Sequence, residues 1–488
     1  VGIEYVLLTP RERIAVEAQA FAGTGLTAAK HYAEHVEWGE MQAGPRARID
    51  FSRLDAYVVE FQRAGFGDLV LCLKSRCRWA AREAGLLQFP NPTPKPEFMD
   101  AYAAWIEAVV ERYDGDGRDD VPGLRWPVRH LEVGSEFSSY EPEPVADYLA
   151  ILERAYRAAH RASGDVRVAH AAFLTIGAFD GRPEPGEAAY REAWGRMPSR
   201  IAAQHDYADV RAILDRPDLF DVANLHSLCD PYDLEDAVRW LRWEMAARNY
   251  DKPIVVSDTI PTSWIALGPA TTCEGRTDRL GLLLRPAKES DRCRLAEYFT
   301  RLVKKDAETL RWTRGFVAAD TVQRVVIACS LDVELIDVAF NMDLPFLTEP
   351  PLSAGAGVSA WAGALEWRWN RIVDRRPLYH ALRQMMGHLA GHEAVRRGDV
   401  GDPRARVYRI EKPGLETWVA WLEVDRPVLP GDVEPTLGIA LPAGHEVVSV
   451  EPVITRGGQE RPDVREVRTE GGRLSITLDR VPVYLVGH

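Results

Sequence analysis

Residues Val128–Pro142 read VRHLEVGSEFSSYEP. The first half is an apolar run carried by Val128, Leu131 and Val133, with the texture of a buried strand. It stops abruptly at Gly134, Ser135 and Glu136. A buried strand that ends by offering a carboxylate suits a fold whose chemistry lies at strand ends. How many such strands the chain holds therefore decides the architecture.

Short apolar runs recur at Ile3–Leu8, Leu26–Tyr32, Asp68–Leu73, Val128–Val133, Val166–Ala172, Val222–Leu228, Pro253–Ser257 and Glu334–Phe340. Between them lie runs with apolar residues three and four apart, as in DFSRLDAYVVEFQRAG, PEFMDAYAAWIEAVVERY and YDLEDAVRWLRWEMAARNY, the spacing of amphipathic helices. Several open with Pro or Asp in the first turn, as helix starts do. Eight alternations of non-alternating strand and helix predict a parallel sheet covered on both faces. Closed on itself, that sheet is a (β/α)8 TIM barrel. An open doubly wound sheet competes, but it usually carries a glycine-rich turn after its first strand. Here LTPRERIAVE follows with no glycine.

After about residue 400 the texture changes to short alternating strands such as ETWVAWLEV, EVVSVEPVI and RLSITL, separated by Gly, Pro and Asp. They predict an antiparallel β-sandwich. The expected chain is thus an α/β protein with a (β/α)8 barrel over residues 1–400 and a C-terminal sandwich over residues 401–488. The long stretch IPTSWIALGPATTCEGRTDRLGLLLRPAKESD follows the seventh strand, where barrel loops build sites.

The formal net charge of −13 argues against a nucleic-acid or anionic-membrane partner, since both need a basic face. No apolar run reaches the length of a membrane span. No signal-type region is visible, and the compartment, cytoplasmic or exported, stays open. The six cysteines form no CxxC pair, so neither a disulfide framework nor a zinc site is read from their spacing. Cys72 and Cys229 sit in apolar runs as core thiols; Cys273 and Cys293 are a candidate pair. No G-x-S-x-G elbow or phosphate loop occurs. His31 and His35 stand four apart but leave a strand rather than share a helix face; His388 and His392 also stand four apart, on the last helix, without the glutamate between them that an HExxH zinc motif needs. No metal or cofactor is expected.

Side chains alternate along a strand. On that basis Glu132, Gly134 and Glu136 share one face, with Glu136 at the barrel mouth. Ile254, Val256 and Asp258 share a face of the seventh strand, with Asp258 at its mouth. Val222, Asn224, His226 and Leu228 do the same on the sixth, directing His226 to the mouth. Lys74 follows the third strand, as a mouth residue or a solvated one. In the second strand, registry decides whether Lys30 and Tyr32 or His31 face inward. Two carboxylates across a barrel mouth suit glycoside cleavage, in which one protonates the leaving oxygen and the other attacks the sugar or activates water. Their environments must push the two pKa values apart. Trp38, Trp79, Tyr140, Tyr232 and Trp264 follow strand ends and offer flat faces for sugar rings, or plain packing.

These residues resemble the clan A glycoside hydrolases, in which an acid/base Glu ends strand four, usually after Asn, and a nucleophile Glu ends strand seven. HVEWGEMQ with IDFSRLDAYVVEFQRAGF, FDVANLHSLCDPYD, TVQRVVIACSLDVELIDVAFNMDLP and RPLYHALRQMMGHLAG, in this order and before a sandwich, are similar to the family 39 β-glycosidase layout. The resemblance implies a glycosidase for β-linked sugars, with Glu136 as acid/base, Asp258 as nucleophile or base and His226 as support. Ser135, Lys74, Trp38, Tyr232 and Trp264 are then expected around the sugar. Its partner is an oligosaccharide or glycoside; a homo-oligomer is left open. Two departures stand out: Ser135 replaces the usual Asn, and Asp258 the usual Glu. Asp is one methylene shorter, which leaves retention, inversion or a carbohydrate-binding protein without turnover as alternatives.

Overall fold

The computed structural model describes the chain apart from residues 9, 33–35, 83–91, 138–142, 198–204, 262–288, 345–359 and 488. Eight parallel strands close into a barrel in chain order. They are β1 (Gly2–Val6), β2 (Ala28–His31), β3 (Asp68–Leu73), β4 (His130–Glu136), β5 (Arg167–Leu174), β6 (Ala223–Ser227), β7 (Ile254–Thr259) and β8 (Leu335–Val338). β1 pairs with both β2 and β8, which closes the ring.

Amphipathic helices wrap the barrel. Ser52–Ala64, Met99–Glu111, Val145–Ala162 and Asp233–Ala247 form where the three- and four-residue apolar spacing placed them. Ser52–Ala64 ends at Gly65, whose φ of 108° is a left-handed C-cap that only glycine adopts without strain. The outward strand residues, among them Val133, Leu225, Ile254 and Val256, pack with these helices in one continuous apolar core.

Inside, the barrel is layered. Its floor is apolar: Ala28, Val70, Ala169, Val222, Val255 and Leu335. Two residues further along the strands the filling turns polar, with Lys30, Glu132, Asn224, Ser257 and Asp337 all buried. This polar layer supports whatever stands at the mouth above it.

A hairpin of β9 (Leu365–Arg368) and β10 (Arg371–Arg375) precedes the helix Pro377–Leu389. The remaining strands are antiparallel. They are β11 (Ala394–Gly398), β12 (Ala405–Lys412), β13 (Leu415–Leu422), β14 (Leu437–Pro442), β15 (Val447–Pro452), β16 (Arg465–Arg468), β17 (Arg473–Leu478) and β18 (Val483–Gly487). One sheet has the order β11-β12-β13-β18-β15-β16, and β14 with β17 forms the second. Val407, Ala420, Ile439, Val450 and Leu485 fill the space within the sandwich. Tyr408, Val419, Trp421 and Tyr484 instead join the apolar core of the barrel and its helices. The sandwich therefore packs on its own barrel.

Cys72 and Cys229 are buried free thiols. Cys293 is disulfide-bonded; Cys273 lies outside the described residues. Among the described residues no helix is long and apolar enough to cross a membrane.

Candidate active site

Three barrel strands depart from regular pairing near a carboxylate: β1 between Ile3 and Val6, around Glu4, and β4 and β7 at the mouth. In β4 the partner of Val133 is His170 but that of Glu136 is Ala172, so β4 spends one extra residue. Gly134 takes it up at φ 85°, a conformation costly for any side-chain-bearing residue. In β7, Val256 pairs with Leu225 and Asp258 with His226, so this strand too carries an extra residue. Such an insertion re-aims the residues that follow.

This corrects the alternation expected for β7. Ile254 and Val256 face the helices, and Val255 belongs to the barrel floor. Ser257 faces the barrel interior, and the insertion brings Asp258 inward beside it, off the face of Ile254 and Val256. For β6 the alternation holds: Val222 lies in the floor, and Asn224 and His226 are buried above it.

The result is a convergent group. Glu136, His226 and Asp258 are buried, and one polar atom from each lies within 4.8 Å of the others. His226 Nδ1 is 3.0 Å from Glu136 Oε1, and Nε2 is 3.0 Å from Ser257 Oγ and 3.8 Å from Glu132 Oε1. Burial alone would depress the imidazole pKa. The nearby carboxylate of Glu132 and the hydrogen-bonded carboxylate of Glu136 outweigh it and lift the ring to about 9. His226 is therefore a cation at neutral pH, donating through both nitrogens.

Lys30 settles the open question in β2: it points inward. Its ammonium reaches Glu132 Oε2 at 2.9 Å and Glu4 Oε1 at 3.1 Å, and donates to the Ser257 carbonyl at 2.9 Å. Three acceptors match its three N–H groups. Burial opposes the charge, but Glu132 and Glu4 hold the ammonium pKa well above its ordinary value. His31 faces outward, accepting from the Cys72 N–H through Nε2 and meeting the Tyr57 ring edge-on. Asp337 is fully buried and pushed up to about 7 by desolvation, against the pull of Lys30. Asp258 is also raised, first by burial, while His226, Glu4 and Lys30 pull it back.

Lys74 is buried at the end of β3 rather than solvated, and Ser135 is half-buried at the β4 insertion. Trp38 is not brought to the mouth. It is fully buried among Trp79, Tyr102 and Trp105 and donates its indole N–H to Gln42. A ring without exposed surface has no face for a sugar. Tyr232 is taken up at the junction with the sandwich, where Arg406 covers its ring at 4.5 Å and Trp421 donates to its hydroxyl. Trp264, Tyr140 and His35 lie outside the described residues.

Glu4, Ser257, Asp337 and Arg324 also belong to this interior, although no sequence motif marks them. Arg324, nine-tenths and more buried, donates to Ser227 Oγ at 3.0 Å and to the Cys229 carbonyl, with Asp320 as its counter-ion. It clamps the chain just after His226. The available signal was the lone charged residue inside an apolar run, as in GIEYV for Glu4 and LIDV for Asp337.

No protein-family model matches this chain, and no curated protein matches it. Solved structures do. A GH39 β-xylosidase from Caulobacter crescentus aligns over 100% of this chain and 95% of its own, with 14% identity and a TM-score of 0.54. A GH39 enzyme from Xanthomonas axonopodis pv. citri aligns over 100% and 93%, with 11% identity and a TM-score of 0.55. A glucosidase from Croceicoccus marinus aligns over 96% and 91%, with 11% identity and a TM-score of 0.54. From end to end, this chain shares the fold of these solved glycosidase structures, a (β/α)8 barrel followed by a β-sandwich.

Proposed function

We propose that the chain is a glycoside hydrolase that cleaves β-linked sugars with retention of configuration. Glu136 is the general acid/base and Asp258 the nucleophile. The observation that supports this most is the convergence of Glu136, Asp258 and His226, with one oxygen of each carboxylate and one ring nitrogen within 4.8 Å of one another. Retaining enzymes hold their carboxyls roughly 5–5.5 Å apart, whereas inverting ones need roughly 6.5–9.5 Å to admit a water. The short approach of the two carboxylates favours direct attack.

In this reading Glu136 Oε1 accepts from the His226 cation, which leaves Oε2 to carry the proton for the leaving oxygen. Asp258 attacks the anomeric carbon and forms a glycosyl ester. Glu136, now ionised, takes a proton from the water that hydrolyses it. His226 holds the Glu136 carboxyl in place, itself fixed through Ser257. Ser135 and Lys74 are the candidates for sugar hydroxyl contacts.

The test is Glu136→Gln on a natural glycoside. Turnover is expected to fall by about 10²–10⁴-fold, the span of a general acid's contribution, with the fold intact by circular dichroism. An unchanged rate refutes the assignment. Aryl glycosides with good leaving groups need little acid help and do not decide it. Binding of an oligosaccharide panel by calorimetry without any product would point instead to a carbohydrate-binding protein on this scaffold.

A further inference from the structure

Beneath the mouth, the carboxyls of Glu4 of β1 and Asp258 of β7 lie against each other beside Lys30, whose ammonium also donates to the carbonyl of Ser257, the residue before Asp258. Both are buried, at 6% and 5% exposure. Glu4 Oε1 is used by Lys30 at 3.1 Å. Glu4 Oε2 and Asp258 Oδ1 are both sealed from solvent, and among the described residues no N–H or hydroxyl donor reaches either. Two touching carboxylates cannot both be ionised in such a place, and a buried acceptor without a donor is costly. One proton between them removes both penalties.

The surroundings decide which side carries it. Asp258 is faced by the His226 cation and by Lys30, with Glu136 and Asp337 as further acidic neighbours. Among the described residues Glu4 is faced chiefly by one cation, Lys30, and by the acids Asp258 and Asp337. The charged form is therefore cheaper at Asp258, and the proton resides on Glu4.

We propose that Glu4 is a positioning residue: a neutral carboxylic acid that donates its O–H to Asp258 and holds that carboxylate ionised and aimed. This rests on the reading of Asp258 as nucleophile. It also gives the shortened side chain at position 258 a support. An aspartate one methylene shorter than glutamate is pinned from below by β1, while His226 faces it from β6. Desolvation followed by the charge of Asp258 keeps the Glu4 pKa well above its ordinary value, which agrees with this assignment.

Two variants and two readouts test it. In Glu4→Gln the amide oxygen still accepts from Lys30 and the amide N–H still donates to Asp258. In Glu4→Leu nothing donates, so Asp258 becomes harder to ionise. Activity requires ionised Asp258 and is lost as pH falls through its pKa. The acidic limb of kcat/KM should therefore move up by about one pH unit or more in Glu4→Leu, and stay at the wild-type position in Glu4→Gln. A limb in Glu4→Leu at the wild-type position overturns the proposal. Independently, the infrared difference between wild type and Glu4→Gln at neutral pH should show the loss of one protonated-carboxyl C=O band that shifts in D2O. Absence of that loss overturns the proposal as well. The infrared readout needs no turnover. A wild-type protein without glycosidase activity therefore refutes the proposed function while the shared proton is still decided.

Discussion

At the scale of single residues, the protein buries several groups, in the barrel and on the helix Arg11–Ala22, that bind protons more tightly folded than unfolded, and this gives the stability a predictable pH slope. Glu17 is fully buried and lifted from 4.5 to about 7 by desolvation, although Asn341 donates to it at 2.6 Å and Arg13 is near. Its neutral form suits the fold, so stability falls as pH rises from about 4.5 through 7. His226 runs from 6.5 unfolded to about 9 folded. Its contribution is complete below about 6.5 and is lost as pH rises through about 9. Thermal unfolding measured across pH should give a melting temperature that declines from pH 5 to pH 9. Glu17→Gln mimics the protonated acid and should flatten the lower part of that decline. A variant slope equal to that of the wild type would contradict the role given to Glu17.

At the scale of elements, the register insertions in β4 and β7 do the aiming. Gly134→Ala places a Cβ on a backbone at φ 85° and should cost about 1–3 kcal/mol of strain. Activity should fall further than stability, because relaxing the insertion turns Glu136 away from His226. Chemical denaturation alongside kcat measures both; a stability loss with unchanged kcat would mean that the insertion aims nothing. These insertions also mark the limit of what a sequence shows. All eight barrel strands were legible as apolar runs, because burial on both faces writes itself into composition. So were Glu136 and Asp258, as carboxylates closing such runs. The face of Asp258 was not: strict alternation put it with Ile254 and Val256, which pack against helices. An inserted residue leaves no periodic trace. Trp38 failed for another reason, since following a strand says nothing about whether a ring packs inward or faces a cleft. Lys30 was undecided because registry alone chose its face, and registry is a property of the closed ring.

At the scale of the molecule, the sandwich is held to the barrel by a buried charge as well as by apolar contact. Arg406 of β12 is 2% exposed and pairs with Glu235 of the helix Asp233–Ala247 at 2.8 Å and with Glu423 at 2.5 Å. Arg406→Met removes the most buried of three arginines that meet Glu235, the others being Arg182 at 3.0 Å and Arg397 at 3.6 Å, and should destabilise by about 1–3 kcal/mol, the cost of lost charged hydrogen bonds, because both carboxylates keep some solvent. Calorimetry should show a lowered melting temperature with the sandwich unfolding first; an unmoved transition would mean that the pair contributes nothing. Helix Asp233–Ala247 follows β6, so this junction lies on the segment that leaves His226, next to the chemistry the whole account rests on. That chemistry is most directly tested by the anomeric configuration of the first-formed sugar, followed by NMR during hydrolysis of a β-glycoside. With Asp258 as nucleophile the β-anomer appears first, and the α-anomer grows in only by mutarotation. An α-anomer as first product would contradict Asp258 as nucleophile.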